Sequence, residues 1–293
     1  MPNLKDLKTR IDSVKSTQKI TSAMKLVAAA KLRRAEEVAQ ASRPYSTRMN
    51  DVIGSLASKA DASSAPALLV GRPDAKTHLL VIISSDKGLC GGFNAFITRA
   101  ARKIIAEKEA AGEKIMVYVV GRKSGDALGG EIADKTFARV EGIQGKAVFG
   151  DAEDIASKII EGFEAGTFDG VSMLFNKFVN VIKQDVTHTS LIPAEVGAVD
   201  EDEAPTGLQA SYEYEPDEEE ILKALLPRNL ATQLFSALLE SSASELAARM
   251  TAMDNATRNA GDMIDRLTLV YNRTRQANIT KELIEIISGA EAL

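Results

Sequence analysis

The stretch LAARMTAMDNATRNAGDMIDRLTLVYNRTRQAN, Leu246 to Asn278, decides the fold. Within it Leu246, Met250, Met253, Thr257, Ala260, Ile264, Leu267, Tyr271, Thr274 and Asn278 recur at alternating steps of four and three. That spacing keeps one face of a helix turned towards a partner helix. The stripe is apolar at first and then takes in small and polar residues, which predicts a helix that leaves its partner and enters another environment. Pro227 is the sole proline and Gly261 the sole glycine between Asp217 and Ser288. A single long helix is therefore expected, with Gly289 as its C-terminal stop.

A partner of the same kind stands at the other end of the chain. From about Asn3 to Ala57 the sequence is rich in good helix formers, interrupted only by Pro44 and the late Gly54. Apolar residues fall at Leu4, Leu7, Ile11 and Val14 and restart at Ile20, Met24 and Val27, the phase shift of a coiled coil with a stutter. Fifty helical residues would extend roughly 75 Å, longer than a compact domain needs.

Between these arms the texture changes. His78–Ser84, Lys114–Val120, Gly170–Phe178 and Gln184–Ile192 are rich in Val, Ile and Leu and are expected as strands, with helices over Phe93–Ala110 and Asp151–Glu164. Alternation of strand and helix predicts a mostly parallel sheet in a small, Rossmann-like α/β domain. The expected organisation is an N-terminal coiled-coil helix (1–58), the α/β domain (76–195), an acidic linker (196–216) and a C-terminal coiled-coil helix (217–293). The fold class is α/β with long helices, the two end helices forming an antiparallel coiled coil.

Composition narrows the function. The chain has 293 residues, 45% of them hydrophobic and 5% aromatic, with one cysteine and two histidines. Cys90 alone cannot form an internal disulfide, and His78 and His188 leave little material for a metal site or a triad. Apolar runs such as Leu79–Ile83 fall far short of the roughly 20 residues that span a bilayer. The N-terminus has neither a secretory core nor an organellar presequence, so membrane contact is expected only through partners. The net charge of −5 hides a basic first helix and an acid-rich, Lys- and Arg-free stretch from Glu195 to Glu220. Basic residues at the N-terminus fit nucleic acid, anionic lipid or an acidic protein surface, and composition does not choose among them.

Candidate chemistry is sparse. Ser84–Asn94 is a glycine-rich turn between a strand and a helix, the position at which a nucleotide-binding fold cradles phosphate. It has the spacing of neither the dinucleotide fingerprint nor the P-loop. Gly121-Arg122-Lys123-Ser124 fails the P-loop test because Met116 stands where the first glycine belongs, and it reads as a solvated helix start. Cys90 has no histidine near it in sequence and reads as a small buried thiol. The acidic pairs Asp262/Asp265 and Glu282/Glu285 read as solvated helix faces. No catalytic, cofactor-binding or metal-binding constellation is expected.

The segments Lys15–Arg33, Arg249–Thr257 and Tyr271–Ala290 resemble the N- and C-terminal signatures of ATP synthase gamma subunits. The Asp86–Asn94 turn and Tyr212–Asp217 resemble two further motifs of that family, in the same order along the chain. The resemblance implies a non-catalytic, rotating central stalk. It couples proton flow through a membrane ring of c subunits to ATP synthesis or hydrolysis at beta-subunit sites. It also implies one copy per complex, with alpha, beta and epsilon subunits and the c ring as partners and no nucleic acid. The place of work would be the cytoplasmic face of a bacterial inner membrane.

Site residues follow by motif. Met24 is similar to a methionine beside the moving part of beta, although it could equally fill a gap in the coiled coil. Arg275 and Gln276 match a polar pair that bonds a beta loop, and Arg249, Thr280 and Glu282 match further coupling positions. Lys87 and Cys90 lie in the turn that faces beta's acidic lever. Tyr212 and Glu215 match the foot that touches the c ring. With one cysteine, the chain lacks the cysteine pair of the chloroplast-type redox switch. The competing readings are an α/β nucleotide-binding protein and a coiled-coil nucleic-acid protein. The first lacks phosphate-loop spacing. The second sits poorly with the acidic linker and the negative net charge.

Overall fold

A computed structural model describes residues 3–57, 66–72, 76–143, 145–194 and 218–291. The acidic linker, with Tyr212 and Glu215, lies outside the described residues. The chain divides into two compact units, residues 1–30 with 249–293, and residues 31–248.

The larger unit is built on a five-stranded sheet of β1 (Thr77–Ile83), β2 (Lys114–Val120), β3 (Thr136–Val140), β4 (Gly170–Phe178) and β5 (Gln184–Ile192), in the order β3-β2-β1-β4-β5. Strands β1 to β4 run parallel and β5 is antiparallel to β4. A sheet covered on both faces needs apolar residues at successive positions, which is why β1 and β2 are near-continuous apolar runs. One face presents Leu79, Val81, Ile83, Tyr118 and Val120 to α5 (Phe149–Glu164) and to Leu230, Leu234 and Leu238 of α6 (Glu218–Glu291). The other presents Leu80, Ile82, Val117 and Val119 to Ile97, Ala101 and Ile105 of α3 (Phe93–Ala110). A third cluster joins Met49, Ile53 and Leu56 of α1 (Leu4–Ala57) to Leu69 of α2 (Ala67–Val70) and to Leu222 and Leu226 of α6. Glu240 ties three elements together, accepting from Arg43 at 2.9 Å and from the Phe178 N–H at 3.0 Å.

Four elements of this unit were not anticipated, α2, α4 (Arg122–Leu128), a short 3₁₀ turn at Gly129–Ile132 and β3; α4 does begin where a helix start was expected. Strand β3 is a short edge strand with intermediate to exposed residues, so it lacks the apolar run that marks its neighbours.

The smaller unit pairs the first part of α1 with the last part of α6. Every member of the Leu246–Asn278 stripe is buried or half-buried. The stutter expected in α1 is overturned. Ile20 and Val27 are 60% and 56% exposed, while Thr21 and Ala28 are buried. The seam runs Leu4, Leu7, Ile11, Val14, Gln18, Thr21, Lys25, Ala28 in unbroken steps of three and four. Two of its polar members pair across the helices: the Thr21 and Thr257 hydroxyls share a hydrogen bond of 2.8 Å, and Lys25 Nζ lies 2.6 Å from Asp254 Oδ1. Small residues such as Ala28 and Ala260 allow close approach, so helix phase outranks apolarity here. Gly289 is also no stop, because α6 continues to Glu291. A glycine inside a helix costs only about 1 kcal/mol relative to alanine, too little to end a helix of this length.

Candidate functional site

The C-terminal ends of the parallel strands converge on the glycine-rich turn after β1. Asp86 is the staple of this end: its Oδ1 accepts the Arg122 N–H at 3.2 Å and its Oδ2 the Gly142 N–H at 3.0 Å. One carboxylate thereby joins the segments leaving β1, β2 and β3. Gly121 lies at φ +90°, and a Cβ there would fall 2.1 Å from the Ser84 carbonyl oxygen, so only glycine allows β1 and β2 to end this close together. Inside the turn, Ser85 Oγ donates to the Lys87 carbonyl at 2.6 Å, and Asn94 Nδ2 donates to Ser85 Oγ at 2.7 Å. Lys87 is exposed. Cys90 is buried, 2% exposed, with Asn94 Nδ2 3.2 Å from its sulfur. The thiol is an internal packing and hydrogen-bonding group of the turn, as its small apolar character suggests.

On the helix pair, Met24 is half-buried beside the Lys25–Asp254 contact. Asp254 also meets Arg258 at 3.1 Å, and the hydrogen bond from Lys25, followed by the charges of Lys25 and Arg258, holds its carboxyl below the usual carboxylate range. Arg249 is half-buried. Arg275, Gln276, Thr280 and Glu282 are all exposed on α6 and share no contact that would draw them into one cluster. The seam ends at Asn278. Beyond it Ile279, Leu283, Ile284, Ile286 and Ile287 are 47–68% exposed. In α1, Ile20, Leu26 and Val27 stand out in the same way.

Among the described residues no group of His, Cys, Asp and Glu is placed to hold a metal ion. His78 Nε2 lies 2.7 Å from Ser172 Oγ, and burial, helped by the charge of Lys108, lowers its pKa to about 4, which keeps the ring neutral. Two concavities of the larger unit are lined by apolar, amide and hydroxyl side chains with Arg228, and neither holds an acid or a histidine. No described helix is long and apolar enough to cross a membrane.

Sequence reasoning missed Asp86 as a staple, the Thr21–Thr257 and Lys25–Asp254 pairs, and Glu240. The two coiled-coil pairs do occupy seam positions, and a register drawn unbroken from Leu4 would have found them. Asp86 and Glu240 act across contacts distant in sequence and carry no local signal.

Residues 3–293 match the family described as ATP synthase. The chain is 56% identical to the ATP synthase gamma chain of Acidiphilium cryptum (strain JF-5) over 296 residues, with 100% of both chains covered. It is 53% identical to the ATP synthase gamma chain of Paracoccus denitrificans (strain Pd 1222), again with 100% of both covered. A chain of the Tetrahymena thermophila mitochondrial ATP synthase central stalk and c ring is similar in structure, with a TM-score of 0.61, 27% identity, and 81% of this chain and 99% of that one covered. A chain of the Euglena gracilis mitochondrial ATP synthase shares the fold, with a TM-score of 0.68 at 20% identity, covering 99% and 94%.

Proposed function

The chain belongs to the ATP synthase gamma-chain family, and from that premise we propose how its parts divide the work of a rotating central stalk. Such a stalk couples proton flow through the c ring to ATP synthesis or hydrolysis in the head. The chain itself is non-catalytic and present once per complex, with the alpha, beta and epsilon subunits and the c ring as neighbours. It works at the cytoplasmic face of a bacterial inner membrane, held there by its partners. Its arms are residues 1–58 and 217–293, its body is 76–195, and 196–216 connects them.

One observation carries this reading: the helix pair leaves its apolar residues uncovered where the seam ends. Ile279, Leu283, Ile284, Ile286 and Ile287 are open to water on one helical stretch. A surface of that kind is expected to be covered by a partner. A sleeve of alpha and beta subunits supplies the cover, with Met24, Arg249, Arg275, Gln276, Thr280 and Glu282 as coupling contacts on the arms. Lys87 and Cys90 belong to the turn that meets beta, Lys87 through its exposed charge and Cys90 by shaping the turn from within. Tyr212 and Glu215 form the foot on the c ring. The stalk acts as a ligand that prefers a different conformer of beta at each angle, and rotation shifts those populations in turn.

A single-molecule rotation assay tests the reading. The chain is assembled with alpha and beta subunits and a bead is attached through Lys158→Cys, because Lys158 is exposed and Cys90 is not. Stepping at three equal angles during ATP hydrolysis is expected. Met24→Lys is expected to keep hydrolysis while lowering the work extracted per turn. A bead that never turns while the head hydrolyses ATP would overturn the rotor assignment.

A further inference from the structure

Where α6 passes the end of the sheet it carries a polar run that is buried against expectation. Glu240, Ser241, Ser242 and Ser244 all lie at 8% exposure or less, with Ser241 and Ser244 at 0%. The apolar core residues that α6 sets against the sheet end just before this run, at Leu238. From there the helix is attached by hydrogen bonds. Glu240 accepts the Phe178 N–H at 3.0 Å, and Ser244 Oγ donates to the Asn176 carbonyl at 2.9 Å. Both backbone groups belong to the end of β4, where pairing with β1 has stopped at Leu174 while pairing with β5 continues to Phe178. The chain leaving β1 has turned towards β2, its Ser84 N–H donating to the Val120 carbonyl at 2.8 Å. Two side chains of α6 therefore satisfy strand groups beyond the reach of β1.

The same carboxylate holds a second helix. Arg43 of α1 donates to Glu240 Oε1 at 2.9 Å, while the Phe178 N–H uses Oε2. The Glu240 side chain is only 10% exposed, so either bond, once lost, leaves a carboxylate oxygen poorly hydrated. Apolar contact has no preferred direction, whereas a hydrogen bond weakens steeply off its axis. A helix lying on a sheet through leucines alone can roll about its own axis at little cost. One pinned by Glu240 and Ser244, which share a face at i and i+4, cannot roll without breaking both bonds.

We propose that Glu240 is a positioning residue for rotary coupling, the pin that transmits torque between the sheet and the long helices. It fixes the rotational setting of α6 on β4 and, through Arg43, that of α1. The proposal rests on the stalk reading above. Turning of the sheet then reaches both helices as rotation, and is not lost as slip across the apolar contact.

The test uses the complex assembled with alpha, beta and epsilon subunits and the c ring. Glu240→Leu, Glu240→Gln and Arg43→Met are compared with the parent chain for ATP hydrolysis, protons pumped per ATP hydrolysed and thermal unfolding midpoint. Leucine removes both bonds and keeps apolar volume, an exchange that buried ion pairs often tolerate without loss of stability. A residue that only supports the fold predicts that pumping follows the midpoint in all three variants. The torque role predicts that Glu240→Leu keeps its hydrolysis and midpoint and loses more than half of its pumping per ATP. Glu240→Gln retains an acceptor for the Phe178 N–H and should keep most of its pumping. Arg43→Met, which frees only α1, should fall between them with its midpoint preserved. Torsional stiffness, read from a bead on Lys158→Cys, should fall by more than half in Glu240→Leu. Parent-like pumping and stiffness in Glu240→Leu, or losses that only track the midpoint, overturn the pin and leave the stalk reading intact. If Glu240→Leu does not assemble, Arg43→Met decides: lost pumping at a preserved midpoint upholds the pin, and parent-like pumping overturns it. A parent chain that hydrolyses ATP without pumping overturns the stalk reading itself.

Discussion

The sheet-bearing unit and the helix pair bury apolar surface in different ways. In residues 31–248, strands β1 and β2 are sealed on both faces, and Leu79, Leu80, Val81, Ile82 and Ile83 are 0% exposed. In the helix pair the buried positions form a single stripe, with apolar Leu7 and Ile11 giving way to Thr21 and Ala28. Leu26, Val27 and Leu269 remain 56–68% exposed there. The first unit has its partners within the chain. The second is only half covered by its own residues. An exposed leucine consequently means different things in the two places. Along the helix pair it is one of several exposed apolar residues, whereas in the sheet unit an exposed, strained Leu89 stands out against a saturated core.

The sharpest way to break this contrast is truncation. Leu79→Ala is expected to destabilise the chain by about 3 kcal/mol, because a two-sided core cannot collapse around the lost volume. Leu26→Ala is expected to change the chain's own stability by less than about 0.5 kcal/mol, since its side chain is already in water. Urea unfolding followed by circular dichroism compares them, and similar losses for both would erase the distinction.

Acid should separate the units in a defined order. Burial lowers His78 to about 4, so as pH falls from 6.5 the unfolded chain takes up a proton that the folded sheet unit refuses. The sheet unit should keep this stability above pH 6.5 and lose about 3 kcal/mol on the way down to pH 4, a loss that His78→Gln removes. Asp254 acts in the same direction at lower pH: its lowered pKa gives a contribution present above the ordinary carboxylate value and lost only as pH falls through the folded value. Unfolding of the parent and the His78→Gln chain across this pH range checks the order.

The smallest effect lies in the seam. A double-mutant cycle of Thr21→Val and Thr257→Val should return a coupling of about 1 kcal/mol, the net worth of one hydrogen bond between partly buried hydroxyls. A coupling near zero would make the pair incidental to register.

Much of the fold was legible along the chain. Lys114–Val120, Gly170–Phe178, Gln184–Ile192 and Phe93–Ala110 have the bounds expected of them, because Gly and polar clusters punctuate their apolar runs. Strand β3 was not legible, since TFARV at a half-exposed edge carries no apolar run. The α1 register was misread because Ile20 and Val27 are more apolar than Thr21 and Ala28. The candidate site was legible as a list of family positions and not as a surface. Cys90 and Lys87 lie three residues apart, yet one points into the protein and the other into solvent.

By itself the sequence determined the two long end helices around a strand-and-helix middle, the heptad stripe of Leu246–Asn278 and the lack of reactive motifs, because periodicity and residue chemistry are properties of neighbours in the chain. Only the tertiary structure decided which helix face is covered, that Asp86 joins three strand ends, and that Leu89 is held outward at positive φ. Those outcomes depend on groups brought together across tens of residues: the phase of the whole seam, and not the apolarity of one position, turns Thr21 towards Thr257 and leaves Ile20 exposed beside it.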